Sequence, residues 1–143
     1  MREARVQPAR PRIEVALDQL SDGGLALICG SAGYGKSSAV AAWGARTDRP
    51  MRWLRASRDL HDALHLAADE DDGVRLPRLA RAVRQLQTAS VCAAALIADL
   101  AAPHSELFLV VDDADALAES IEGRSFLLSI AERAPDRSRV ALI

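Results

Sequence analysis

The chain has 143 residues, with 17 arginines and one lysine against 20 acidic residues. A net charge of −2 argues against a nucleic-acid-binding domain, which needs a basic excess. Half of the residues are hydrophobic, but alanine supplies 28 of them and aromatics only five, a balance that favours helices with a few short strands. The longest uncharged stretch, residues 85–98, is too short to span a bilayer as a helix, and no signal peptide opens the chain. Cys29 and Cys92 both lie in apolar runs, as expected of reduced, buried thiols in a cytoplasmic protein.

Residues 1–12 hold four arginines with Pro8 and Pro11 and read as an extended arm preceding a single domain over 13–143. Ile13, Ala16, Leu17 and Leu20 recur at helical spacing, and Ser21-Asp22-Gly23-Gly24 ends that helix. The continuous apolar run 25–29 suits a strand buried on both faces of a parallel sheet. A glycine-rich loop follows, then a helix over 36–46 and a second strand over 51–55 with Trp53 as its core anchor. A helix is expected over 60–68, an exposed acidic loop over 69–73, and a helix opened by Pro77 that buries Leu79, Val83 and Leu86. An apolar helix over 91–101 precedes a third strand at 107–111, which stops abruptly at Asp112-Asp113. A helix over 125–133 and a fourth strand over 139–143 complete the pattern. Strands alternating with helices predict a layered α/β fold with a mostly parallel sheet. Because the chain stops on an apolar strand, it reads as a piece of a longer protein.

The strongest chemical signal is Gly30-Ser31-Ala32-Gly33-Tyr34-Gly35-Lys36-Ser37, which satisfies G-x-x-x-x-G-K-[ST] without a mismatch. Gly30, Gly33 and Gly35 let the backbone bend until successive N–H groups point inward at phosphates, and the following helix adds its N-terminal amides. Lys36, the chain's one lysine, is placed to reach the β- and γ-phosphates, and the Ser37 hydroxyl to ligate Mg2+. The second half of such a site is a carboxylate at the end of a neighbouring strand. Leu107-Phe108-Leu109-Val110-Val111-Asp112-Asp113 has that form, with Asp112 expected to hold Mg2+ through water and Asp113 to orient or deprotonate the attacking water. Asp115 is a candidate cap for the next helix.

Other constellations read more simply. His61 and His65 fall one letter short of the zinc-protease pattern, because Asp62 stands where Glu is required, and no third ligand has a recognisable spacing. They read as helix surface. Asp69 to Asp72 lacks the alternate spacing of a calcium loop, and Trp43 and Trp53 read as core.

Gly33-Tyr34-Gly35-Lys36-Ser37-Ser38-Ala39-Val40-Ala41-Ala42-Trp43 resembles the phosphate loop and helix of the large ATP-binding LuxR-type regulators, the MalT-like group of STAND-class ATPases. Arg10-Pro11-Arg12-Ile13 resembles that family's lead-in, Arg52-Trp53-Leu54 its second strand, and Val110-Val111-Asp112-Asp113 its magnesium motif. Ala114 departs from the aromatic residue often found there, and the acidic segment after the second strand is not in its usual form. The resemblance implies a P-loop NTPase three-layer αβα sandwich, here truncated after its fourth strand, with that strand lying between the first and third. It also implies an ATP/ADP-binding switch with slow Mg2+-dependent ATPase activity and self-association in the ATP state. Tyr34 and Ser38 join the nucleotide-binding set. The DNA-binding region is expected beyond Ile143, so this chain is expected to contact neither DNA nor membrane. Two alternatives stand beside that reading: a P-loop kinase acting on a small molecule, and a non-hydrolysing domain in which nucleotide is a structural ligand.

Overall fold

The computed structural model describes residues 11–28, 35–48, 50–55, 59–69, 75–103, 105–134 and 138–143. Among the described residues, four strands, β1 (Gly24–Leu27), β2 (Met51–Arg55), β3 (Phe108–Asp112) and β4 (Arg139–Leu142), form one all-parallel sheet in the order β1-β4-β3-β2. The fourth strand thus lies between the first and third. Seven α-helices accompany it among the described residues: α1 (Pro11–Asp18), α2 (Lys36–Thr47), α3 (Leu60–Asp69), α4 (Pro77–Arg84), α5 (Ala89–Leu100), α6 (Ala114–Leu117) and α7 (Ile121–Arg133). None of them is long and apolar enough to cross a membrane.

Period-two alternation along the strands sorts the core into two layers. Phe108, Val110 and Ala141 face α1 and α2, where they meet Leu17, Leu20, Val40 and Trp43. Leu54, Leu109, Val111, Val140 and Leu142 face the other way, into a larger cluster with α3, α4, α5 and α7. The two layers leave β3 fully buried from Phe108 to Val111.

Helix α2 is held against the sheet by Trp43, whose ring packs edge-on to Phe108 at 5.2 Å. The indole Nε1 donates to Asp18 Oδ1 at 2.9 Å, which ties α2 to α1. Local signals set most other helix starts. The Ser120 hydroxyl accepts the Gly123 amide at 2.9 Å, Thr88 caps α5, and Asp59 Oδ1 accepts the His61 amide at 2.8 Å. Helix α4 is capped from outside. Asp99, buried on α5, accepts the Leu79 amide at 2.9 Å and the Arg78 amide at 3.3 Å.

Several expectations need correction. Helix α1 starts at Pro11, inside the expected arm, because proline is well suited to a first helical turn whose N–H needs no partner; a 3-10 turn, Gln19–Asp22, extends it. Strand β1 is only half-buried and leaves Leu27 67 % exposed, because among the described strands it stands at the end of the order, beside β4 alone. Trp53 is partly buried, whereas Arg52 beside it is fully enclosed and donates from Nη1 to the Ala67 carbonyl at 2.5 Å. Helix α4 ends before Leu86, which projects into solvent. Helix α7 begins at Ile121, four residues before the expected start, and α6 was not anticipated as a separate element. Most of the acidic loop, residues 70–73, lies outside the described residues.

Candidate functional site

In a parallel α/β sheet the strands all end on one side, and the helices that follow them begin there. Gly30, Gly33 and Tyr34 lie outside the described residues. Gly35 closes that segment as the N-cap of α2, with φ of +70°, a left-handed conformation that favours glycine. Its carbonyl accepts the Ala39 amide at 2.9 Å, the first bond of the helix. Lys36, Ser37 and Ser38 therefore form the first turn of α2, where backbone amides have no intrahelical acceptor. Lys36 and Ser37 are half-buried, and Ser38 is exposed.

Asp112 is the last residue of β3 and continues the alternation of Phe108 and Val110, so it sits on the α2 side of the sheet. There it meets α2. The Ser37 hydroxyl donates to Asp112 Oδ1 at 2.9 Å, across 75 positions of chain. Strand pairing adds a third member. Arg55, the last residue of β2, lies in register with Asp112, and its Nη1 is 3.6 Å from Asp112 Oδ2. The same guanidinium lies 5.5 Å from the centre of the Trp53 ring. With the Arg55 side chain 75 % exposed and that of Asp112 19 % exposed, this ion pair is weak and readily exchanged.

Asp113 is exposed and takes φ of +59° as the N-cap residue of α6, without a side-chain cap bond. Strand β4 pins the turn. The Ile143 amide donates to the Val111 carbonyl at 2.9 Å, and its carbonyl accepts the Ala114 amide at 2.8 Å. Asp115 stands inside the first turn of α6 and not at its cap.

The structure thus brings Ser37 and Asp112 together and sets Lys36 and Asp113 on the adjoining residues. Arg55 was not singled out from sequence. Its position on a strand was legible, but its proximity to Asp112 depends on register between strands more than 50 residues apart.

The two histidines do not form a site with each other. His65 Nδ1 pairs with Asp69 Oδ2 at 2.7 Å on the surface of α3, whereas Nε2 of His61 is shielded from solvent. Among the described residues, no group of three or more His, Cys, Asp or Glu side chains is arranged to hold a metal. Burial pushes the Cys92 thiol above its ordinary pKa of 9.0. Compared with known proteins, the chain matches no family model, and no curated protein matches it in sequence.

Proposed function

We propose that this chain binds a nucleoside di- or triphosphate with Mg2+ at the carboxyl end of its sheet, as a P-loop NTPase domain acting as a slow ATP/ADP switch. The observation that carries the reading is the 2.9 Å hydrogen bond from Ser37 Oγ to Asp112 Oδ1. It joins the end of the G-x-x-x-x-G-K-S motif to the carboxylate after an apolar strand, the two pieces that phosphate and magnesium chemistry need side by side.

The oxygen pair fits the metal. The Ser37 hydroxyl would ligate Mg2+ and the Asp112 carboxylate, 2.9 Å from it, would hold the ion through water. Both are hard oxygen donors. When bound, Mg2+ neutralises phosphate charge. The chain's own residues do the rest. First-turn amides of α2 and the helix dipole hold the phosphate oxygens, and the Lys36 ammonium supplies a compact positive charge on a flexible stem. Asp113, the exposed acid that follows Asp112 in the chain, serves to orient the attacking water. Assignment to ATP, and to a signal-responsive transcription regulator, rests on the resemblance of residues 33–43 and 110–113 to the LuxR-type ATPases.

Isothermal titration calorimetry of Lys36→Ala tests the binding reading. Loss of a charge-assisted phosphate contact removes roughly 1.5–3 kcal/mol, or about 10- to 150-fold in ATP affinity. Undiminished binding would rule the site out.

A further inference from the structure

A cavity of about 450 Å³ opens in the other helical layer, away from Ser37 and Asp112. It lies between the start of α3 (Leu60, His61, Leu64), the connection from α4 to α5 with Cys92 beyond it, and the start of α7 (Ile121, Glu122, Ser125). Its size falls within the range of small-molecule sites, and its walls are mainly apolar with a few polar groups, as such sites are.

Three separate energetic costs converge on this one place. The first is exposed apolar surface: Leu86 and Ile121, both lining residues, are each 78 % exposed. The second is backbone strain. Helix α4 ends in a Schellman motif, in which the Gln87 amide bonds the Ala82 carbonyl and the Leu86 amide bonds the Val83 carbonyl, each at 3.0 Å. That motif places Leu86 at φ of +52°, where glycine is usual and a bulky side chain is strained. Neither strain nor exposure is repaid by packing at Leu86. The third cost is an unsatisfied polar atom. Nε2 of His61 is shielded from solvent and has no hydrogen-bond partner.

We infer that this cavity binds a small neutral amphiphile, an apolar molecule carrying one hydroxyl, carbonyl or amide group. The apolar body covers Leu86 and Ile121 and lies against Leu60, Leu64 and Cys92. A turn of the imidazole presents His61 Nε2 to the polar group. The lining contains one carboxylate, Glu122, and no arginine or lysine, so an anion finds no countercharge there. Strain kept at a residue that contributes little to folding is the signature of a binding position.

The probe is prodan, a neutral naphthalene ketone whose emission shifts to the blue in apolar surroundings, titrated into the whole chain. The expected result is saturable one-to-one binding that slows modification of Cys92 by a thiol reagent. Leu86→Gly keeps the Schellman geometry and removes the rim side chain. Its unfolding midpoint stays level or rises while prodan binding weakens about tenfold, the worth of one apolar contact. His61→Phe likewise folds at least as well and binds prodan several-fold more weakly. Non-saturable emission changes, or saturable binding that neither substitution alters, overturn the site. A lowered midpoint in Leu86→Gly overturns it too, because Leu86 would then be there for stability.

Discussion

The contact between Ser37 and Asp112 is open to direct measurement without nucleotide. Its perturbation is a double-mutant cycle of Ser37→Ala, Asp112→Ala and both together, in protein freed of metal with EDTA. The bond is 2.9 Å long and its acceptor is a carboxylate only 19 % exposed, so it belongs with hydrogen bonds to charged groups, worth roughly 1.5–3 kcal/mol. Because the pair stands at the carboxyl end of the strands, where the carboxylate keeps some solvent exposure, the lower end applies, about 1.5 kcal/mol of coupling. The Arg55 pair at 3.6 Å adds at most ~0.5 kcal/mol, and its loss occurs in both arms containing Asp112→Ala, so it cancels. Urea unfolding of the four proteins, with equal m-values required of all, reads the coupling as a displacement of midpoints. Coupling below about 0.5 kcal/mol would mean that the two motifs are not joined in solution, and the site would lose the observation that carries it.

Three further outcomes follow from packing and burial. Asp99→Ala leaves the Leu79 amide at the buried start of α4 without its acceptor and lowers stability by about 3 kcal/mol, while Asp99→Asn keeps one acceptor oxygen and loses about half of that, both read by thermal melts. Gly123→Ala drives a Cβ into the Leu117 carbonyl, a backbone atom that cannot yield, and destabilises by about 3 kcal/mol; Gly44→Ala meets only the flexible Met51 side chain and stays within ~1 kcal/mol of wild type in the same unfolding assay. Burial raises the pKa of Cys92 in the folded state, so its contribution to stability is intact below the ordinary value of 9.0 and falls as pH rises above it. Unfolding midpoints measured across that window decline, and Cys92→Ala flattens that part of the decline.

The strands and most helices were legible because their signals are local. Val110 and Val111 sit in a run of branched and apolar residues that only a buried strand explains, and Pro77 opens α4 where a proline-led start was expected. Failures occurred where a distant residue decides. Arg52 carries a charge, and a single sequence places arginine at the surface; its burial depends on the Ala67 carbonyl, which only the packing of α3 on β2 delivers. Leu86 fits the apolar period of α4, yet the chain leaves the helix two residues earlier, at Arg84, in a motif normally built on glycine. The cap of α4 comes from Asp99, 20 residues beyond the amide it holds, so no local pattern announces it.

Sequence alone therefore determined the alternating α/β plan and the chemistry on offer: a glycine-rich segment ending in Lys36-Ser37, and paired carboxylates after an apolar strand. Hydrophobic periodicity and residue chemistry are properties of neighbours along the chain, and they survive without a fold. Tertiary structure decided which of these residues meet. The parallel register that sets Arg55 beside Asp112, the packing of Trp43 on Phe108 that positions α2, and the resulting 2.9 Å bond from Ser37 to Asp112 all depend on contacts between distant segments. The cavity that gathers Leu86, Ile121 and His61 depends on them too.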